Sequence, residues 1–453
     1  MPLCSTEERF FARLQRGRVL IVGFGERTGR AAAELFERRR VPYRISDAKP
    51  RGEIEPLLAG LHLADEQIRC GGQEPGDLEG ITAVLLSPGV PRTIPLLEEA
   101  KRRRIPVEVD IDFGYELWSD KRIVAITGTD GKTTTTTLTG KLLEPLGPVV
   151  VAGNIGVSPL ARLDEIRAAS TLVLEVSSFM TEELSRFRPS IAGILNIAED
   201  HVDRYDSRES YAAAKFGLVR HCRPGDALVL NVDEPTLAGF RPEQVTILRT
   251  SRQDPTADSH YHEGTFHLGE LRIRYAECRL QGQANVDNIL MAATMARTAG
   301  VDPQQIATRL RRFEGLPHRM QHLGRFDGVD VYEDSKASNV HAVEAALRNF
   351  DRGVVLILGG RDKGLDFSIL KPHAHRLRRL VCYGESGEAI RDALDIEGAL
   401  YRYDFEQAVR LAATECHPGD VLLLSPGCTS WDQFPNYEVR GDTFRRLVPR
   451  LFA

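Results

Sequence analysis

The segment Arg122-Ile-Val-Ala-Ile-Thr-Gly-Thr-Asp-Gly-Lys-Thr-Thr-Thr-Thr-Thr137 constrains the fold more than any other part of the chain. Ile123 to Ile126 are apolar and β-favouring, as a strand buried on both faces requires. Thr127-Gly-Thr-Asp-Gly131 is a tight turn, and Lys132 opens a helix expected to run to about Leu143. A strand, a glycine turn and a helix N-terminus aim several backbone N–H groups at one point, where the helix dipole also favours negative charge. Lys132 adds a mobile cation, and the Thr133 hydroxyl suits a phosphate-bound Mg²⁺. The segment reads as a cradle for a nucleotide triphosphate. It is shorter than the common GxxxxGK[ST] loop, which would need glycine where Ile126 stands.

Around this loop the hydrophobic pattern forms three α/β blocks. The first has strand signals at 18–22, 43–46, 83–86 and 107–111, a glycine turn at Gly23-Phe-Gly25 and an alanine-rich helix near 29–40. The second continues from the phosphate loop with strands near 149–152, 171–176, 191–197 and 227–232. Over 245–281 the pattern changes to short alternating pieces, expected to form an antiparallel appendage, and a helix follows over about 286–299. The third block has strands near 329–332, 354–358, 380–383 and 421–424. Interleaved helices imply mostly parallel sheets covered on both faces. The expected fold is α/β in three domains: a Rossmann-like domain over 1–118, a central phosphate-loop ATPase domain over 119–315, and a C-terminal Rossmann-like domain over 316–453. Joints are expected near 116–121 and 314–318.

Composition excludes several classes. No apolar run approaches the length needed to cross a bilayer, and the N-terminus lacks the basic and apolar regions of a signal peptide. A net charge of −5 argues against a general nucleic-acid binder but not against an anionic small substrate held by local cations. Seven dispersed cysteines without a CxxC pair suggest reduced thiols in a cytoplasm, not a disulfide or zinc framework.

Other residues stand where chemistry gathers in α/β sheets. Gly23-Phe-Gly25 with Gly29 approximates a dinucleotide fingerprint, and Asp47 follows the second strand where a ribose-binding acid would sit. Thr28 occupies the third glycine's place and Gly29 comes one residue late, so a different phosphorylated ligand fits better than NAD. Ser87-Pro-Gly89 closes another strand at the same sheet edge. Glu175 ends a very apolar strand, where a carboxylate is costly unless partnered. Beside a triphosphate the natural partner is Mg²⁺, a capping or salt-bridged acid being the alternative. Asn196-Ile-Ala-Glu-Asp-His-Val-Asp-Arg-Tyr205 carries acids and His201 out of the next strand and points to metal binding. Lys215, in Tyr211-Ala-Ala-Ala-Lys-Phe216, is expected at the surface from composition alone. In the third block, Arg319, Lys336 and Lys363 suit neutralising phosphate or carboxylate charge. Ser425-Pro-Gly-Cys-Thr-Ser-Trp-Asp-Gln-Phe434 is a further candidate ligand loop.

Taken in order, TGTDGKTT, GNIG, EVSSF, NIAEDHVDRY, YAAAK, LPHRM, DSKASN, GGRDKG and LSPGCTSWDQF resemble the Mur ligases over nearly the whole chain. The resemblance implies an ATP-dependent ligase that extends UDP-N-acetylmuramoyl-L-alanine through an acyl phosphate, in cytoplasmic synthesis of the peptidoglycan precursor. Asp334-Ser-Lys-Ala-Ser-Asn339, where sister ligases tend to carry a DY-[GA]-H type sequence, implies D-glutamate as the acceptor. It further implies a UDP-holding first domain, a central ATPase domain and a third domain that closes over ATP and the amino acid.

Carried over by position, Gly128, Thr129, Asp130, Gly131, Lys132, Thr133 and Thr134 would hold the ATP phosphates. Thr133, Glu175, His201 and a carbamylated Lys215 would bind two Mg²⁺ ions. Asn288, His318, Arg319 and Asp334 fall on the ATP side, Asp47 and Ser87 on the UDP side, and Asn154 and His201 on the substrate. Lys336, Ser338, Lys363, Ser430, Trp431 and Tyr437 fall on the D-glutamate pocket. Lys132, His201, Lys215 and Lys336 would carry catalysis. Neither nucleic acid nor membrane is an expected partner, and the expected state is a monomer.

Three departures stand out. Asp130 replaces a commoner asparagine and should point away from phosphate or meet a metal. The first glycine turn is one residue longer than the family pattern. Trp431 is bulkier than residues often found there. Competing readings are another Mur ligase, a folylpolyglutamate synthetase-like enzyme, an NAD-dependent oxidoreductase and a non-catalytic nucleotide switch.

Overall fold

The computed structural model describes residues 5–182, 184–198, 204–362 and 364–452, with the backbone alone at 283 and 284. The chain divides into two compact units, Met1–Cys278 with Asn285–Arg312, and Arg279–Ala284 with Phe313–Ala453.

The first unit contains two sheets. Strands β1 (Val19–Val22), β2 (Tyr43–Asp47), β3 (Ile68–Cys70), β4 (Ala83–Leu86) and β5 (Val107–Glu108) pair in parallel in the order β3-β2-β1-β4-β5. The order reverses between β1 and β4, the point where open α/β sheets leave a crevice beyond their strand ends. The helix expected near 29–40 starts differently. Glu26–Arg30 forms a π turn, with the Arg30 N–H donating to Gly25 O at 3.0 Å, and the α-helix Ala31–Arg38 follows. The strand expected over 107–111 ends at Glu108, and Asp110–Phe113 is a short buried helix. Asp110 lies inside the expected strand and Asp112 just past its end, and both are buried carboxylates that need partners. Asp110 accepts from the Ser158 hydroxyl, and Asp112 accepts the backbone N–H groups of Ser185, Arg186 and Phe187.

The second sheet holds β6 (Arg122–Thr127), β7 (Val149–Gly153), β8 (Thr171–Glu175), β9 (Ile191–Ile194), β10 (Ala227–Asn231), β11 (Thr246–Ser251), β12 (Ser259–His262), β13 (Thr265–Leu268) and β14 (Leu271–Arg274). Their order is β14-β13-β12-β11-β10-β9-β6-β8-β7. The expected antiparallel appendage is only partly that. β11 continues the sheet in parallel with β10, β12 joins β11 in parallel, and only β13 and β14 add antiparallel hairpins. An unpaired β10 edge would leave a row of unsatisfied backbone groups, which favours continuation over a separate module. One hydrophobic cluster runs from Phe10, Phe36 and Phe113 through Trp118 to Leu160 and Leu174, so both sheets share a core.

The second unit is built on β15 (Gln321–Phe326), β16 (Val329–Glu333), β17 (Val354–Gly359), β18 (Leu377–Tyr383), β19 (Leu400–Arg402) and β20 (Val421–Gly427), ordered β15-β16-β20-β17-β18-β19. All pairings are parallel except β15 with β16. β17 is buried along its whole length, and apolar clusters line both faces of the sheet. Among the described residues no helix is long and apolar enough to cross a membrane.

Candidate active site

β6 delivers the chain to the phosphate loop, and the helix Lys132–Leu143 begins where the sequence pattern places it. Five consecutive threonines are poor helix formers because branching restricts their side chains. Packing overrides that preference, since Thr135, Thr136 and Thr139 are fully buried against the sheet. Gly131 precedes the helix at φ 77° and supplies no side-chain cap to the first turn, the end of a helix that suits an anion. At this φ an L side chain is strained, and a Cβ at Gly131 would lie 2.2 Å from Asn288 Oδ1, so the turn favours glycine. Asn288 accepts from the Thr135 hydroxyl at 3.0 Å and donates to Asn285 Oδ1 at 2.8 Å. It thus buttresses the turn from the helix Gln283–Thr298. Asn196 supports the other side of the loop. Its Oδ1 accepts the N–H groups of Thr129 and Asp130 at 2.9 and 2.8 Å. Asp130 itself is exposed, and Lys132 Nζ donates to Thr129 O at 2.5 Å.

Glu175 sits at the end of β8, in register with Ile126 at the base of the loop. It is 2% exposed; Oε1 accepts from Asn154 Nδ2 at 2.7 Å, while Oε2 is buried with no hydrogen-bond partner. A buried, half-satisfied carboxylate is costly, and a divalent cation shared with phosphate oxygens supplies the missing partner. The donor set therefore fits Mg²⁺. Among the described residues no group of three or more His, Cys, Asp or Glu side chains gathers to hold a metal. His201 lies outside the described residues.

Lys215 overturns the expectation drawn from composition. It is 1% exposed on the helix Arg208–Phe216, with Nζ donating to Gly128 O at 2.7 Å and 4.3 Å from the Tyr211 ring centroid. The helix turns Lys215 and Tyr211 toward the phosphate loop, with the Thr129 hydroxyl donating to the Tyr211 oxygen, an orientation that composition cannot reveal.

At the switch point of the first sheet, a cleft of about 650 Å³ is lined by Gly23–Thr28, Asp47, Lys49, Ser87–Val90 and Gly156–Ser158. Asp47 uses both oxygens on backbone N–H groups, Phe24 at 2.5 Å and Lys49 at 2.8 Å. The Ser87 hydroxyl donates to Gly23 O at 2.5 Å. Both expected UDP-side residues thus also brace the glycine turn. Gly29 takes the close-packing role of the fingerprint's third glycine, because a Cβ there would lie 2.9 Å from Phe24 Cα.

In the second unit, residues 334–337 are clasped between two other loops. Asp334 is buried, accepting from the Met320 N–H at 3.1 Å and the Ser425 hydroxyl at 2.9 Å, and burial pushes its carboxyl up to about 7. The Lys336 N–H donates to His318 O, and the Gly427 N–H to Ala337 O. Lys336 Nζ lies 3.8 Å from the Tyr437 ring centroid; burial lowers its pKa, and Arg319 adds to this. His318 Nδ1 meets Glu333 at 2.8 Å. Ser430 is buried, Ser338 is half-buried, Arg319 is exposed and Trp431 is 63% exposed. Lys363 lies outside the described residues, but Arg361 beside it pairs with Thr429 through two backbone hydrogen bonds.

Several contributors escape the sequence reading. Asn196 and Arg204 lie in the stretch 196–205 but are not distinctive as residue types. Arg204 makes a two-pronged pair with Glu182, and Tyr205 donates to the same carboxylate. Arg27 is hidden in the glycine turn. Arg440, on the helix Tyr437–Leu447, would pass for a surface residue but is fully buried. It donates to Ser335 Oγ and O, Cys428 O and the Tyr383 hydroxyl, joining three strand ends. Arg440→Met would strand several buried acceptors and is expected to destabilise this unit by about 3 kcal/mol or more. Thermal or urea unfolding checks this; a loss below about 1 kcal/mol would show that the acceptors re-pair.

A phosphate loop beside a half-satisfied buried carboxylate, next to a Rossmann-ordered sheet with an open switch-point cleft, is the architecture of an α/β nucleotide-dependent enzyme, with two candidate ligand sites in the first unit. Residues 126–296 match the Mur ligase middle domain, and residues 318–428 match the Mur ligase glutamate ligase domain. The UDP-N-acetylmuramoylalanine–D-glutamate ligase of Shouchella clausii is 38% identical over 95% of this chain and 96% of its own length. That of Pelotomaculum thermopropionicum is 36% identical over 96% and 98%. In fold, the chain is similar to the MurF ligase of Thermotoga maritima, solved in complex with ADP, with TM-score 0.57 and 17% identity over 99% of this chain and 97% of that one. The chain belongs to the Mur ligase family.

Proposed function

We propose that this chain is an ATP-dependent amide-forming ligase that joins D-glutamate to the L-alanine carboxylate of UDP-N-acetylmuramoyl-L-alanine. The observation that carries the chemistry is the open phosphate loop with Glu175 in register at its base. The substrates follow from relatives of that name matched over almost the whole chain. The switch-point cleft in the first sheet suits the UDP group, a role that a folylpolyglutamate synthetase-like enzyme would leave empty.

A carboxylate does not acylate an amine at neutral pH. A substrate carboxylate oxygen first takes the γ-phosphoryl group, giving ADP and an acyl phosphate. The D-glutamate amine then attacks the carbonyl carbon, and the tetrahedral intermediate expels phosphate as nitrogen loses its proton. Lys132 and the loop amides hold the transferring phosphoryl charge, which is a positioning and electrostatic task. Glu175 and Thr133 and, in the family pattern, His201 and Lys215 would hold Mg²⁺, which would supply neutralisation of phosphate charge. Lys215 is buried with Nζ on Gly128 O, beside the loop; a carbamate would form there when its amine adds to CO₂ and loses a proton. Asn154 orients the substrate and Asn288 supports the nucleotide side of the loop. In the family pattern Arg319, Asp334 and His318 would contact ATP.

Lys336, Ser338, Lys363, Ser430, Trp431 and Tyr437 form the acceptor pocket in this reading. Two cations and two hydroxyls suit an amino acid with two carboxylates. We read the chain as a cytoplasmic monomer with domains over 1–118, 119–315 and 316–453, one for each sheet. D-Glutamate, L-glutamate, L-alanine, L-lysine and meso-diaminopimelate, offered singly with ATP and Mg²⁺, test the reading by product mass. D-Glutamate is the expected product-former, because an acceptor that leaves pocket groups unpaired is strongly rejected. Preference for another amino acid would move the chain to a sister ligase.

A further inference from the structure

The extra residue in the first glycine turn has a structural consequence. With Gly29 one place late, the turn absorbs the insertion as the π turn Glu26–Arg30, a feature that often marks functional positions. Arg27 sits within it and lines the switch-point cleft. Its Nη1 donates to Asn154 Oδ1 at 2.8 Å and to Asn154 O at 3.2 Å. Asn154 in turn donates from Nδ2 to Glu175 Oε1 at 2.7 Å, and the Asn154 N–H donates to Glu175 O at 2.8 Å.

An asparagine side chain presents one accepting and one donating end, and its neighbours decide which faces where. Arg27, a donor only, claims the oxygen. The amide NH₂ is therefore turned onto Glu175 Oε1, which leaves Oε2 as the oxygen with no partner. We propose that Arg27 is a positioning residue that connects the cleft to the phosphate loop. By claiming the Asn154 oxygen, it makes Asn154 present its NH₂ and not its C=O to Glu175, which holds the carboxylate by one oxygen and leaves the other toward the loop, and a phosphorylated substrate in the cleft acts on the same guanidinium. The inference rests on the reading of the cleft and loop given above. It adds a residue that works through Asn154 and touches neither the reacting carboxylate nor the phosphoryl group.

Arg27→Gln and Arg27→Lys test it against the parent enzyme, with four readouts. These are kcat, the KM of each substrate, the Mg²⁺ concentration giving half-maximal rate, and calorimetric affinity for UDP-N-acetylmuramoyl-L-alanine without ATP. Glutamine can donate to Asn154 only through a shorter, neutral amide, so kcat should fall about tenfold or more and the Mg²⁺ requirement should rise. The KM for D-glutamate and the melting temperature should stay near parental values. Arg27→Lys keeps a charged donor and should recover part of kcat.

A change confined to affinity for the UDP substrate would reduce Arg27 to a substrate contact and overturn the proposal. Parental kcat and Mg²⁺ dependence in Arg27→Gln would overturn it as well. If the glutamine variant fails to fold, the lysine variant carries the same comparison; failure of both would make Arg27 structural and end the proposal. A parent enzyme that forms no D-glutamate product would count against the function itself, whereas an active parent with indifferent variants counts against this inference alone.

Discussion

Lys132→Ala is expected to lower ATP turnover on the order of 10²–10³-fold while the protein stays folded. The lysine opens the helix after Gly131, is half-buried and belongs to none of the apolar clusters. Its ammonium reaches back to Thr129 O within the loop. Its loss therefore removes charge from the phosphate site without opening a cavity in the core. The first-turn amides and the support from Asn196 and Asn288 persist in the variant, so nucleotide should still bind, more weakly. ADP release with the UDP substrate and D-glutamate, set beside a melting curve, separates these effects. Near-parental turnover in a folded variant would remove the phosphate-loop assignment on which the function rests.

Lys215→Ala should be nearly inactive for a different reason. The side chain is buried against the loop, with Nζ on Gly128 O and Tyr211 beneath it. If the amine is carbamylated in the working enzyme, alanine removes an anionic ligand and leaves room for a small one. Formate or acetate should then restore part of the rate. Lys215→Arg should resist rescue, because the guanidinium fills the space with a fixed positive charge. A loss on the order of 10²-fold or more with carboxylate rescue supports the carbamate. The same loss without rescue in a stable protein would leave Lys215 as a structural support of Gly128. Full activity would dismiss it from the site.

The two lysines also show where sequence reasoning stops. Lys132 is legible because its role follows from neighbours in the chain: a strand, a glycine turn and a helix start lie within a dozen residues. Glu175 is legible for a similar reason, since a carboxylate ending an apolar strand demands a partner wherever that strand lies. Lys215 is not, because its importance depends on which way its helix faces. That direction is set by packing of Tyr211, Ala212 and Ala214 against residues distant in the chain. Arg440 is hidden by the same logic, as a guanidinium is buried only where three separate strand ends supply its acceptors. The acids at 110 and 112 break an apparent strand because their partners, Ser158 and the amides of 185–187, come from another block.

The sequence by itself determined the α/β class, the phosphate loop with its helix from Lys132 to Leu143, and most strand positions. Each of these rests on local periodicity or on a turn whose residues are contiguous. Tertiary structure alone decided the strand orders and the continuation of the central sheet through β11 and β12. It also decided the conversion of one inserted residue into a π turn and the chain of hydrogen bonds from Arg27 through Asn154 to Glu175. Those outcomes depend on satisfying buried polar groups and sheet edges with partners far away in sequence, and local residue patterns do not encode that matching.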